Sequence, residues 1–424
     1  MKTLLIYNLF PRLYKNSKEW EKGLDKIVEM GFNSIFLNPF HYPGFSGSLY
    51  AVKDYYKYND LFFTTDKPAE EQLVDFIAKC KQKGLYVFMD LIVNHTSKDS
   101  VLVETHKNWY SLDEKGELLS PGAWDNGVYV TWGDLAELDI ENSPDKENLW
   151  KYMLDICLHY LELGFTGFRC DAAYQVDDEF WEYLITNIRN EKKEIIFLAE
   201  TLGCTPVQIQ ALSNCGFDYI FNSSKWWNYE DEWCLEQYDM NRINAPSISF
   251  PETHDTERLM LEVNDNEKIF LQRLYFTAIF SKGFMIPTGF EYGFKKRINV
   301  VTMTHHDWEH TKTDYSTQIK NILSIKQSLR PLSEESSMEV IAQPNYVFCF
   351  IKEWEDERVL VCINKDHINS QEIFFNDLED LLKIDLIKDY SPESRIDGYL
   401  KNLNIKLLPS EVKIIASEKH FTNQ

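Results

Sequence analysis

"CLHYLELGFTGFRCD" spans residues 157–171. Its first half mixes apolar and polar residues at helical spacing and stops at Gly164. Its second half is an apolar run that ends on Arg169 and Asp171. Glycine closes a helix in the left-handed conformation, after which the chain enters a strand. The same helix–glycine–strand text returns in "DKIVEMGFNSIFLNP" (25–39), "FIAKCKQKGLYVFMDLIV" (76–93), "ALSNCGFDYIFNSS" (211–224) and "TAIFSKGFMIPTG" (277–289), with Gly31, Gly84, Gly216 and Gly283 at the junctions. In the first helix Trp20, Leu24, Ile27 and Val28 form a helical stripe. Alternating helices and buried apolar strands imply a parallel sheet. "TLLIYNLF" (3–10), "EIIFLAET" (194–201) and "PSISFPETHD" (246–255) bring the strands to eight. The predicted fold is α/β, a (β/α)₈ TIM barrel.

Two regions break the rhythm. Residues 96–149, with turn-rich text such as "SPGAWDNGVYVTWGD", read as a short insertion after the third strand, on the face where long loops build sites. From residue 331 the strand-like runs "YVFCFIKEW", "ERVLVCINK" and "EVKIIAS" predict a C-terminal all-β domain, a β-sandwich over 331–424. The barrel then comprises 1–95 and 150–330. The terminal "FTNQ" is expected to fray.

Composition narrows the function. The chain has 424 residues, 44 Lys+Arg against 67 Asp+Glu and a net charge of -23, with no dense basic run, so a nucleic-acid partner is not expected. No segment has the length and apolarity of a membrane span. The opening "MKTLLIYNLFPRLY" reads as a first strand rather than a signal peptide. Eight cysteines without metal-ligand spacing, among them Cys157, Cys349 and Cys362 in apolar runs, read as free thiols of a cytoplasmic protein. The 14% aromatic content supplies flat faces that suit sugar rings as well as cores.

In a (β/α)₈ barrel, catalytic groups come from the carboxyl ends of several strands. Those ends carry Asp90, Asn94 and His95 ("DLIVNH"), Arg169 and Asp171, Glu200, and Glu252, His254 and Asp255 ("PETHD"); Tyr50 lies in "SLYAVKDYY" after the second strand. On a strand, Arg169 and Asp171 share a face. Each element has a plain structural explanation: an ion pair, a strand ending in water, a satisfied turn histidine, a helix cap. Their ordered co-occurrence on strands 3, 4, 5 and 7 points instead to one site. Three carboxylates, Asp171, Glu200 and Asp255, suit glycoside cleavage, where one attacks the anomeric carbon and another protonates the leaving oxygen. Neighbouring like charges raise the acid's pKa, and an arginine beside the nucleophile favours its charged form.

"DLIVNH", "GFRCDAAY", "FLAET" and "THD" resemble, in order, the four signature regions of the alpha-amylase family of glycoside hydrolases, family 13. The resemblance implies Asp171 as nucleophile, Glu200 as general acid/base and Asp255 as transition-state stabiliser. It implies that Arg169 positions the nucleophile, that His95 and His254 hold sugar hydroxyls, and that Tyr50 stacks on the sugar. The implied activity is retaining transfer or hydrolysis on alpha-glucans or malto-oligosaccharides. Tyr174 and Gln175 stand where many members carry lysine and histidine, lining the side of the leaving or accepting sugar. No cofactor is expected. Calcium is the alternative: Asn94 matches a frequent ligand position, and Asp125, Asp134, Glu137 and Asp139 could assist, but Gln175 replaces a contributing histidine.

"GSLYAVKDYY" and "NHTSKDSVLVETHKNWY" are also similar to the family's maltosyltransferases, which use maltose 1-phosphate. A glycosyl-phosphate transferase is therefore the second reading, with Lys53, Lys98, Lys295, Lys296 and Arg297 as candidate phosphate cations. A third is a non-catalytic carbohydrate-binding relative. The stretch "KWWNYEDEW" (225–233) reads equally as a sugar platform or as helix packing.

Overall fold

The computed structural model describes residues 3–417 apart from 126, 345, 376, 384–385, 399 and 401–403, and leaves out the side chain of Asp125. The expected fraying of 421–424 and the offered ligand Asp125 therefore lie outside what is described. Eight parallel strands close into a barrel: β1 (Leu5–Leu9), β2 (Ser34–Leu37), β3 (Tyr86–Leu91), β4 (Gly167–Cys170), β5 (Ile196–Ala199), β6 (Tyr219–Phe221), β7 (Ser247–Ser249) and β8 (Gly283–Pro287). Each pairs with its sequence neighbours, and β8 returns to β1. Helices α1 (Leu24–Glu29), α2 (Ala69–Gln82), α3 (Lys146–Leu163), α4 (Asp178–Glu191), α5 (Pro206–Asn214), α6 (Trp233–Arg242), α7 (Glu267–Phe280) and α8 (Ser316–Ser328) follow the strands in turn.

The period-2 alternation of strands divides two cores. Ile6, Phe36, Phe88, Leu198, Tyr219, Ile248 and Met285 fill the barrel, while Leu5, Leu9, Ile35, Leu37, Val87, Phe168 and Phe197 join the core beneath the helices. On β3 the inward face therefore passes from Phe88 to Asp90, and on β4 from Gly167 to Arg169 and on to Asp171. Each face is small or apolar at the bottom and charged at the carboxyl end. Of the first helix's stripe, Trp20, Leu24 and Ile27 are buried, whereas Val28 is exposed. The helix breaks into Ser17–Trp20, a turn and α1, which rotates Val28 off the buried face.

The junction glycines behave as expected at Gly31, Gly84, Gly164 and Gly216, all with positive φ. Gly164 shows the effect most fully, with φ 113° directly after α3. Gly283 is a correction. Helix α7 already ends at Phe280 with Ser281 as its cap, and Gly283 is the first residue of β8. It is small for a different reason: a Cβ there would lie 2.5 Å from Ile248 Cγ1 and 3.1 Å from the Ser247 carbonyl oxygen on β7.

Within the insertion, His95–Ser97 pairs with Leu135–Glu137, and Gly122–Asp125 forms a hairpin with Val128–Thr131. At the C-terminal end β9 (Ser337–Ile341), β10 (Val347–Trp354), β11 (Glu357–Asn364), β12 (Ile387–Asp389) and β13 (Val412–Ser417) form an antiparallel sheet in the order β9-β10-β11-β13-β12. Phe348, Phe350, Val361 and Ile363 join the barrel's core, whereas Val347, Cys349, Leu360 and Cys362 pack with Ile373 and Ile405 of a two-stranded sheet. This alternation docks the sheet onto the barrel by one face. On this organisation we propose the domain limits 1–95 with 150–330, 96–149, and from 331 onward. Among the described residues no helix is long and apolar enough to cross a membrane.

Gly283→Ala should destabilise the fold by about 1–3 kcal/mol through overpacking between β7 and β8. Thermal denaturation followed by circular dichroism checks this, and an unchanged Tm would contradict it.

Candidate active site

The carboxyl ends of β3, β4, β5 and β7 surround one guanidinium. Arg169 on β4 is buried; its Nη1 donates to Asp90 Oδ1 at 2.8 Å and to Asp171 Oδ1 at 2.5 Å. Its Nη2 lies 3.9 Å from Glu200 Oε2 and 4.0 Å from Asp255 Oδ2. Asp90 faces Arg169 directly in the parallel ladder of β3 and β4. The ring of Phe36 on β2 lies under the guanidinium at 5.6 Å. Four carboxylates thus share one cation above an apolar floor.

Glu200 follows β5 and is held by backbone amides. Ala172 N donates to its Oε2 at 2.9 Å, and Leu202 N donates to its Oε1. Ala172 adopts φ 42°, ψ 45°, a left-handed conformation that disfavours any residue with a Cβ. This turn directly after Asp171 aims the Ala172 N–H across to β5. Burial pushes the Glu200 carboxyl up to about 8; Arg169 opposes the shift, and the charges of Asp171 and Asp255 add to it. Glu200 therefore holds a proton at neutral pH.

Tyr50, from the segment after β2, donates its phenolic proton to Asp90 Oδ2 at 2.6 Å and accepts from Asn38 Nδ2 at 3.0 Å. His254 Nε2 lies 2.5 Å from Tyr50 Oη and 3.0 Å from Asp255 Oδ2. With the phenol's single proton on Asp90, Nε2 is the donor toward both. The Tyr50 and His254 rings are parallel within 4°, 5.6 Å apart. Burial lowers the pKa of His254, with Asp255 opposing, so its imidazole is favoured neutral. His95 is buried in the first insertion strand, opposite Glu137, and neither ring nitrogen has a protein hydrogen-bond partner. The structure brings Arg169, Asp171, Glu200, Asp255, Tyr50 and His254 into one constellation. His95 sits beside it, and the charge of Asp171 partly offsets the lowering of its pKa by burial.

Tyr174 and Gln175 follow in a short turn after β4. Burial, then the Glu200 charge, raises the pKa of the Tyr174 phenol, which borders the Glu200 side of the site. Gln175 ties three segments: Asn94 Nδ2 donates to its Oε1 at 3.2 Å, and its Nε2 donates to the Gly122 carbonyl at 3.1 Å and to Tyr174 Oη at 3.4 Å. These contacts bear on calcium. Asn94 Oδ1 is buried without a protein partner, while its Nδ2 donates to Gln175. Glu137 Oε1 accepts from Ser111, and Asp139 Oδ1 from Asn142. Among the described residues no group of three or more His, Cys, Asp or Glu is arranged to hold a metal ion. These side chains do not assemble the six to eight oxygens calcium takes.

Sequence reasoning named Asp90 at its strand end without a role, and it missed Asn38. Asp90 holds both Arg169 and Tyr50; only the β3–β4 register reveals this. Asn38 Oδ1 accepts from Asn8 Nδ2 at 2.7 Å, so an asparagine within β1 and one directly after β2 carry the chain of bonds to Tyr50. His254 and Asp255 lie in a turn, not at a helix cap; the short helix Leu259–Glu262 is preceded by Arg258. Glu252 turns away from the site to Arg258 at 2.7 Å. In "KWWNYEDEW", Trp227 is core, packed on Phe276, Phe280 and Phe348, while Trp226 is exposed beside Phe250.

Replacing Arg169 by leucine leaves buried carboxylates without their cation and should cost about 3–5 kcal/mol. The orphaned carboxyls would have folded-state pKa values above their unfolded ones. The variant's deficit should therefore grow as pH rises and shrink as pH falls. Urea unfolding across pH measures this, and a pH-independent deficit would contradict it.

Residues 1–116 match a family profile described as the glucanotransferase domain of glycogen debranching enzyme. An alpha-1,4-glucan:maltose-1-phosphate maltosyltransferase of Picrophilus torridus is 23% identical over 401 residues, 87% of this chain and 61% of that protein. Alpha-amylase 2 of Dictyoglomus thermophilum is 23% identical over 397 residues, 87% of this chain and 66% of that protein. The chain spans between a quarter and two thirds of the length of the curated relatives it matches (25–66%). A noncanonic maltogenic alpha-amylase from Thermotoga neapolitana superposes with a TM-score of 0.78 at 22% identity, covering 98% of this chain and 99% of that one. The fold, the ordered strand-end residues and this breadth of likeness agree: the chain is similar to enzymes of the alpha-amylase family of glycoside hydrolases, family 13.

Proposed function

We propose that the protein cleaves α-glucosidic bonds of malto-oligosaccharides or related α-glucans with retention, passing the sugar from a covalent glycosyl-enzyme to water or another sugar. The observation that carries this reading is the gathering of Asp171, Glu200 and Asp255 around the buried Arg169 in different environments. Arg169 fixes Asp171 Oδ1, which leaves Oδ2 to attack the anomeric carbon. Glu200, kept protonated by burial and like charge, gives its proton to the departing oxygen. It then takes a proton from the acceptor as that acceptor displaces Asp171. Asp255, more exposed than the other two, faces the positive charge that develops on the sugar ring. Tyr50 offers a ring face, and His254 and His95 offer imidazole nitrogens to sugar hydroxyls. Tyr174 and Gln175, next to Glu200, receive the leaving or accepting sugar.

A second reading, transfer from or to a glycosyl phosphate, is favoured by the likeness to maltosyltransferases. Its candidate cations mostly serve ion pairs: Lys53 with Asp99 at 2.8 Å, Lys295 with Asp265 at 2.5 Å, and Lys296 with Asp307. Arg297 is the best placed, since it donates to the Asp255 carbonyl at 2.9 Å while pairing with Glu257 at 3.1 Å.

Asp171→Asn and Glu200→Gln should each lower kcat about a hundredfold or more with the fold intact, measured on maltoheptaose. Near-wild-type turnover in either would contradict the assignment. The kcat/KM profile should fall as pH rises through about 8, where Glu200 loses its proton. In Asp255→Asn, which removes a like charge, the falling limb should move to lower pH; an unmoved limb would separate Glu200 from that limb. Maltoheptaose incubated with and without inorganic phosphate decides the second reading. Free or reshuffled sugars alone support the first, and a phosphorylated sugar supports the second.

A further inference from the structure

We infer that a cavity on the flank of the barrel, apart from the catalytic mouth, binds a phosphorylated sugar of mono- to disaccharide size. It lies between the segment that leaves β1 for α1 and the long loop after β8. Its volume is about 530 Å³, within the range of small-molecule sites. Asp171, Glu200, Asp255 and Tyr50 take no part in its lining.

Two properties of the lining select the ligand. The first is flat aromatic wall. Trp308 stands edge-on to Tyr14 at 5.8 Å and to Tyr292 at 5.7 Å, and these three half-buried rings give faces and edges of the kind that pack against pyranose C–H surfaces. The second is a cluster of cations and N–H donors in a chain of net charge -23. Lys22 and Lys26 line one side, and His305, His306 and His310, three of the chain's ten histidines, line the other. Lys26 is already oriented: its Nζ donates to Tyr292 Oη at 2.8 Å, lies 4.0 Å above that ring and pairs with Asp314 Oδ2 at 3.0 Å. Lys22 and His306 are solvent-exposed and can turn toward an anion.

The carboxylates at and beside the lining are each bonded to a donor already, Asp314 to Lys26 among them. Glu19 is neutralised by Lys22 at 3.0 Å. Glu291 on the floor accepts from Tyr7 Oη at 2.7 Å and from Gly289 N at 3.0 Å, and burial raises its pKa toward the neutral form. Lys22 and Lys26 are each paired with one partly exposed carboxylate, and such exposed ion pairs contribute little in water; a phosphate can draw both ammonium groups to itself, which a neutral sugar or a purely apolar ligand cannot. A sugar carrying phosphate satisfies both halves: ring on the aromatics, phosphate on the cations.

Isothermal titration calorimetry of the full chain with glucose 1-phosphate, glucose and inorganic phosphate tests this. Glucose 1-phosphate should bind more tightly than either fragment. The Lys22→Ala/His306→Ala double variant, altered only at exposed side chains, should weaken that binding about tenfold or more. Trp308→Ala should weaken it as well, and Tyr50→Ala at the catalytic mouth should leave it unchanged. Absence of binding, wild-type affinity in the folded double variant, loss of binding in Tyr50→Ala, or equal affinity for phosphate alone would each overturn the inference.

Discussion

The guanidinium of Arg169 is buried between Asp90 and Asp171 and lies within 4.0 Å of Glu200 and Asp255. Without it, so much negative charge could not be held in a dry barrel mouth, because each uncompensated buried charge is costly. With it, the carboxyls are driven into different states. Asp171 bonds directly to the cation, whereas Glu200 is farther away, buried and pushed up to about 8. The barrel supplies the geometry, since β3, β4, β5 and β7 all end at one mouth and their inward faces change from apolar to charged there.

A second layer fixes the first. Asp90 holds both Arg169 and Tyr50, and Tyr50 in turn meets Asn38 and His254. The strained turn at Ala172 points a backbone N–H at Glu200. Gln175 links the loop after β3, the turn after β4 and the base of the insertion hairpin through its amide alone. Its position beside Tyr174 makes one short turn responsible both for holding the insertion and for lining the Glu200 side of the site.

Much of this was legible in the chain. The helix–glycine–strand repeats announced five of the eight strands, and the inward pairing of Arg169 with Asp171 follows from strand periodicity alone. The partnership of Asp90 was not legible, because it depends on the register between two strands far apart in sequence. Gly283 fits the junction pattern yet serves close strand packing, since a small residue can answer either constraint and sequence does not tell them apart. Trp227 and Trp226 are adjacent and chemically alike; only the docking of the C-terminal sheet, through Phe348, decides which is core. The flank cavity was invisible for the same reason: Lys22, Lys26 and the histidines near 305 come together only when β8 closes against β1.

The central claim is that Asp171 forms a bond to the sugar while Glu200 handles protons. The most direct measurement treats Glu200→Gln protein with an α-maltosyl fluoride donor, whose leaving group needs little acid assistance, and maps the product by peptide mass spectrometry. A maltosyl adduct on the peptide carrying Asp171 is the predicted result. No adduct, or one on a peptide without Asp171, would contradict the account.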